Sequence, residues 1–119
     1  MENSIAIVID TDRNMAHIIK STLEFHGLDV MYVPDPEEVK RVVELYGISI
    51  IIADIMVPQV PVLSIMADIR RKHNIPLILT GIKELCNEER KQLLYYGIPF
   101  LQKPFSPTTL IESVREMIR

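Results

Sequence analysis

Two aspartates one residue apart, Asp10 and Asp12, follow the apolar run "IAIVI" (5–9), with Thr11 between them. A third, Asp54, stands at the end of "ISIIIA" (48–53). Thr80 closes "PLILT" (76–80), with Gly81 after it, and Lys103-Pro104 follows "IPFLQ" (98–102). If these ends converge, carboxylates, a hydroxyl and an ammonium surround one small cavity. That set suits a phosphoryl group. A carboxylate nucleophile needs a cation to offset its own charge and that of the incoming phosphate. Mg²⁺ held by carboxylates supplies one, while a lysine and a hydroxyl reach the equatorial oxygens. Each residue also has a plainer use. Asp10 or Asp12 could cap a helix, Thr80 could be an ordinary strand end, and Lys103 a solvated loop lysine. Asp54 is harder to dismiss, because Pro58 and Pro61 delay any helix that it might cap.

These residues are positioned by alternating elements. The first, third and fourth apolar runs are nearly continuous Ile, Val, Leu and Ala, as strands covered on both faces require. "DVMYV" (29–33) is less uniformly apolar and reads as an edge strand. Helical spacing fills the gaps. Met15, Ile18, Ile19, Thr22 and Leu23 share one face, and Gly27 is the stop. In the second helix Asp35 caps, Pro36 occupies the first turn, and Glu38 completes a capping-box-like pattern. Val39, Val42, Val43 and Tyr46 form its inward stripe, and Gly47 ends it. A third helix spans 62–71 with Val62, Ile65, Met66 and Ile69 inward. A fourth runs from Asn87 to Gly97, burying Leu93 and Leu94. The fifth starts at the cap Ser106 with Pro107 next, and carries Leu110, Ile111, Val114 and Ile118 inward. Five βα units with right-handed crossovers predict a doubly wound parallel sheet between two helical layers. In such sheets the site lies outside the carboxyl ends of the strands, where Asp10, Asp54, Thr80 and Lys103 stand.

Bulk properties narrow the function classes. A chain of 119 residues is expected to form a single domain over 1–119. No uncharged apolar run nears the ~20 residues that span a bilayer, so a membrane role is not expected. No basic segment followed by an apolar stretch opens the chain, and its single cysteine, Cys86, cannot form an internal disulfide; both point to a cytoplasmic setting. Thirteen basic residues are dispersed in a chain of net charge −3, which argues against duplex binding by this domain. His17, His26 and His73 lack the short spacings of a zinc site.

The ordered set Asp10, Asp54, Thr80, Lys103-Pro104 resembles the receiver domain of two-component response regulators, and the resemblance covers essentially the whole chain. Its most specific parts are "IIIADIMVP", similar to the family's strand followed by Asp-x-x-Met-Pro, and "FLQKPF", similar to its fifth-strand ending. The resemblance implies the CheY-like, flavodoxin-like (βα)5 sandwich with strand order 2-1-3-4-5. It implies that Asp54 accepts phosphate from a histidine kinase or phosphotransfer protein in a Mg²⁺-dependent reaction. Thr80 then matches the switch hydroxyl, Lys103 the lysine that pairs with the phosphoryl group, and Phe100 the rotating aromatic, whose plainer role is core packing. The Met56 carbonyl matches the main-chain metal ligand beside Asp10 and Asp54. No enzymatic activity beyond self-phosphorylation and self-dephosphorylation is implied. The responsive surface is the fourth helix, fifth strand and fifth helix. There Glu88, Arg90, Lys91, Tyr95, Tyr96, Glu112 and Arg115 suit a partner or a second copy, or simply form a solvated face.

Two positions depart from that pattern. Receivers usually carry two adjacent acids after the first strand, and here Thr11 takes the second place, with Asp12 one residue late. The neutral hydroxyl of Thr11 is a poor ligand for a hard cation, so weakened Mg²⁺ binding is expected unless Asp12 reaches round to compensate. Val62 stands where a glycine is frequent, and "VPQVPV" should make a stiff turn. These departures keep a second reading open, a degenerate receiver acting as a phosphorylation-independent interaction module. "DTD" also resembles the opening of haloacid-dehalogenase-like phosphatases, with Asp10 as nucleophile. Against that stand Asn14, the missing late acid pair and the short chain. A flavin-binding domain of like architecture is disfavoured, because Asp10 and Asp12 would repel its phosphate. The cognate kinase, the output, and whether the chain is a stand-alone receiver or a segment of a longer protein are not readable.

Overall fold

A computed structural model describes residues 4–118. Its elements alternate without exception: β1 (Ile5–Ile9), α1 (Arg13–Phe25), β2 (Asp29–Tyr32), α2 (Pro36–Leu45), β3 (Ile48–Asp54), α3 (Val62–His73), β4 (Leu77–Gly81), α4 (Asn87–Tyr96), β5 (Phe100–Gln102) and α5 (Pro107–Ile118). All strand pairings are parallel and the order is β2-β1-β3-β4-β5, the doubly wound sheet that the alternation predicts.

The strand period of two divides the core between the faces. Ile7, Ile9, Ile51, Ala53, Leu77 and Leu79 join the α2, α3 and α4 stripes, which include Val39, Ile65 and Leu93. The alternate residues Ala6, Val8, Ile50, Ile52 and Ile78 meet α1 and α5 through Ile19, Leu23, Leu110 and Val114. Fully burying one such Val, Leu or Ile side chain is worth about 1.5–3 kcal/mol, so the three central strands anchor the fold. β2, half exposed and at the sheet's margin, is an edge strand as its composition suggests.

Helix boundaries follow their caps. Asp12 ends the β1–α1 loop by accepting hydrogen bonds from the N–H groups of Asn14 (2.9 Å) and Met15 (3.2 Å). Asp35 accepts from the N–H of Glu37, whereas the Glu38 carboxylate bonds Arg41 instead of completing a capping box. Ser106 accepts from the N–H of Thr109 at 3.0 Å. α3 continues past residue 71 to His73 and stops where Asn74 turns left-handed, at φ 53°. Val62 is buried at its first residue, so the position where glycine is frequent serves the core here.

Four inward assignments are corrected, one of them Ile118, which is exposed at the end of α5 while Leu110, Ile111 and Val114 are buried. Leu94 is 82% exposed although Leu93 is buried, and Ile18 is largely exposed although Ile19 is buried. Neighbours on a helix lie about 100° apart, and α1 and α4 each present only a narrow stripe to the sheet. Tyr46 caps the end of α2 in extended conformation and leaves the stripe at Val43.

Candidate functional site

Register builds the site. Ile9 pairs with Ala53, so Asp10 and Asp54 emerge side by side from β1 and β3. Asp54 pairs with Thr80, and Gly81 with Gln102, which places Lys103 one residue beyond the β4–β5 ladder. The Lys103 N–H bonds to the carbonyl of Gly81 at 2.8 Å, and the Lys103-Pro104 peptide bond is cis. Residues far apart in sequence thus meet at one rim because the strands are parallel and in register.

The Lys103 Nζ donates to Asp10 Oδ2 at 2.7 Å and to Asp54 Oδ2 at 2.9 Å. The other oxygens are held as well: Asp10 Oδ1 accepts from the N–H of Asp12, and Asp54 Oδ1 from the N–H of Met56, both at 2.8 Å. The Asp10 side chain is fully buried and that of Asp54 is 9% exposed, so Asp54 is the carboxylate nearer solvent. Burial pushes the Asp10 carboxyl above its usual value, against the pull of Lys103 and the Asp12 N–H. Burial pushes Lys103 down, but hydrogen bonds to both carboxylates outweigh it and raise the ammonium above the ordinary lysine value.

Thr80 is fully buried, and its Oγ1 has no hydrogen-bond partner. Buried hydroxyls are seldom left alone, and an unpaired one costs about 1–3 kcal/mol. Thr80 therefore carries unused hydrogen-bonding capacity beside Asp54. Phe100 packs half-buried against the α2–α4 face of the core. Its ring lies on Gly81: a Cβ there would sit 3.2 Å from Phe100 Cε1 and 3.0 Å from Ile55 Cγ2. A side chain at Gly81 would therefore crowd both neighbours, which must give by a few tenths of an ångström to admit it. Gly81→Val is expected to lower stability by about 1–3 kcal/mol, the usual cost of overpacking. Urea titration would read the loss, which should shrink in a Phe100→Ala background because the two residues are in contact. An unchanged midpoint would mean that this contact restricts nothing.

Of the metal-ligand candidates, Asp10 and Asp54 come together. Asp12 does not join them, because its carboxylate is engaged in capping α1. Thr11 is exposed on the same loop, and Met56 lies at the exposed turn after β3. No group of three or more acidic, histidine or cysteine side chains is arranged for a metal among the described residues. The two carboxylates still offer oxygen donors suited to a hard cation, with one anion fewer than three acids would give. Sequence reasoning missed Tyr32, whose hydroxyl donates to the Asp10 carbonyl at 2.9 Å and ties the edge strand to the loop behind the site. A tyrosine in a short edge strand is the only signal, and it does not say which carbonyl the hydroxyl reaches.

Residues 6–115 match the family described as the response regulator receiver domain. A probable transcriptional regulator ycf27 of Porphyridium aerugineum is 26% identical over the whole chain and half of its own length. The chain spans about half the length of the curated relatives it matches. Among solved structures, a CheY-like receiver domain protein from Methanospirillum hungatei superposes with a TM-score of 0.88 at 19% identity, over 98% of this chain and 94% of that one. The receiver domain of the Francisella response regulator 1452 gives 0.82 at 27% identity, covering 98% and 97%.

Proposed function

Because this chain belongs to the response regulator receiver domain family, we propose that residues 1–119 form one receiver domain in which Asp54 accepts a phosphoryl group. Members of this family are signalling phosphoacceptor modules, not catalytic enzymes, and membership implies a histidine kinase as partner. The observation that carries the proposal is the convergence of Asp10, Asp54 and Lys103 within hydrogen-bond distance at the carboxyl end of a parallel sheet.

Asp54 suits the nucleophile because it is the less buried carboxylate and sits at the rim. Its Oδ1 is oriented by the Met56 N–H, leaving Oδ2 to form the bond to phosphorus as the donor's leaving group departs. Lys103 must then exchange one carboxylate for a phosphoryl oxygen, a trade of one anion for another. Thr80 can donate its idle hydroxyl to a second oxygen, which would satisfy a group now buried without a partner. Movement of Thr80 vacates space next to Gly81, where Phe100 rests, so Phe100 is the natural follower. That would bias α4, β5 and α5 between two arrangements, and this surface is our candidate for a homodimer contact. No helix is long and apolar enough to cross a membrane among the described residues, and we place the domain in the cytoplasm.

The family typically binds Mg²⁺. Here Asp10, Asp54 and the Met56 carbonyl would hold it, with Thr11 the nearest substitute for a third acid. Bound Mg²⁺ would supply charge neutralisation on the transferring phosphoryl group. Thr11→Asp is expected to tighten Mg²⁺ binding by about tenfold, as one added anionic ligand does for a hard cation in a polar site. Isothermal titration would measure it, and unchanged affinity would remove Thr11 from the metal shell.

Incubation with acetyl phosphate and Mg²⁺, followed by intact mass and peptide mapping, tests the whole reading. One phosphoryl group mapped to Asp54 is the expected result. A group on Asp10 would overturn it in favour of phosphatase-like chemistry. No added mass, from acetyl phosphate or from a cognate kinase, would leave the interaction module without phosphorylation.

A further inference from the structure

A groove of about 490 Å³ runs between α1 and the edge strand β2, next to the β1–α1 loop. Val8 and Val30 form an apolar floor, Arg13, His17 and Lys20 form the helical wall, and Tyr32 lies at the rim. No carboxylate lines it among the described residues. Arg13 and Lys20 make no ion pair among the described residues, although the chain as a whole carries net charge −3. The groove therefore inverts the sign of the protein's charge over an apolar floor.

Beside it the sheet is open. The N–H of Asp29 bonds Ser4 and that of Val33 bonds Val8, so the odd-numbered residues of β2 face β1. By alternation the backbone groups of Val30 and Tyr32 point away from the sheet, along an edge that no strand covers. Val30 and Tyr32 also send their side chains toward the groove, being two residues apart on one face. A strand added here would direct alternate side chains toward α1. Such side chains repeat every ~6.7 Å along a strand. Arg13, His17 and Lys20 span ~10 Å of helix at ~1.5 Å per residue, within reach of two or three of them.

We propose that this groove and the free edge of β2 together bind an extended acidic peptide, which pairs with Val30 and Tyr32 and sets alternate carboxylates against Arg13, His17 and Lys20. Glutamate fits best: its two methylenes cover Ala16 and Val30 while its carboxylate reaches the helical wall. The peptide also touches Tyr32, whose hydroxyl holds the Asp10 carbonyl, so its arrival is felt at the β1–α1 loop. The inference stands apart from phosphorylation of Asp54.

The test is a ¹⁵N amide titration with a blocked eight-residue peptide alternating Glu and Thr. The expected result is saturable shifts at Val30, Tyr32 and α1, with slowed exchange of the Val30 and Tyr32 amides. A Gln–Thr peptide, or the double variant Arg13→Glu with Lys20→Glu, should weaken binding by ~10-fold or more, as loss or reversal of two partly exposed ion pairs implies. That variant should fold, since both side chains are exposed and an acid in the first helical turn is favourable. A Glu–Thr peptide N-methylated at every residue keeps the charge but offers no N–H along either edge, and it should not bind. Equal binding by the N-methylated peptide would reduce the site to charge attraction alone, and shifts confined to α4 or no saturable shift would also overturn the proposal.

Discussion

Lys103→Met is expected to destabilise the protein by about 3–5 kcal/mol, the usual cost of removing one partner from a buried ion pair. For a domain whose total stability is of order 5–15 kcal/mol, that is a large fraction. The reason is the accounting of charge at the site. Lys103, itself 7% exposed, is hydrogen-bonded to Asp10 and Asp54 at once, and its removal leaves two near-buried carboxylates facing each other. Methionine preserves most of the volume, so the loss reports electrostatics more than packing.

The pH dependence separates this account from a packing defect. The raised ammonium of Lys103 stabilises the wild-type fold at every pH below the ordinary lysine range, and that contribution is lost as pH rises through the folded value. The variant lacks it throughout. Its Asp10 carboxyl, raised by burial and now without the pull of Lys103, would titrate above its unfolded value, so the variant's stability should recover as pH falls toward the carboxylate range. Chemical denaturation of both proteins from pH 4 to 8 measures the difference. A deficit that did not shrink on acidification would point to packing. Adding Mg²⁺ should also restore part of the loss, because a cation bound only by the folded state stabilises it by mass action.

The sheet was legible in the sequence because strands buried on both faces must be written in Ile, Val and Leu, and little else competes for those runs. The site was legible for the same reason: in a parallel sheet the polar residue that ends a strand is pinned to the rim. Helix faces were less so. Period alone cannot choose between Leu93 and Leu94, or between Ile18 and Ile19, because the width of the buried stripe depends on how each helix sits on the sheet. Asp12 had two readings, ligand or cap, and the direction of the chain into α1 selects the cap. Polar contacts away from the strand ends left no trace. Arg70 donates to the carbonyls of Ile75 and Tyr96, closing the α3 and α4 ends, yet its sequence neighbours look like any solvated helix terminus. The idle hydroxyl of Thr80 belongs to the same class, since only packing reveals that nothing reaches it.

Asp54→Asn is expected to take up no phosphoryl group from acetyl phosphate, while Asp10→Asn should still be labelled, only more slowly. The asymmetry follows from what each carboxylate must do. Both have one oxygen on a backbone N–H and the other on Lys103, so their hydrogen bonding does not distinguish them. Their burial does. The Asp10 side chain is sealed from solvent, which bars the approach of a phosphate donor. Asp54 stands at the end of β3 next to a turn whose Met56 is exposed, so a donor can reach it from solvent. Asparagine keeps the shape and the Lys103 contact but cannot form an acyl phosphate. Asp10→Asn removes charge that would help hold a cation, and so slows the reaction without removing its nucleophile. Intact mass over a time course, run on both variants and the parent, gives the comparison. Labelling that survived in Asp54→Asn and vanished in Asp10→Asn would invert the assignment. The nucleophile would then lie in the loop that opens the chain, and the sealed carboxylate would have to become accessible before reacting.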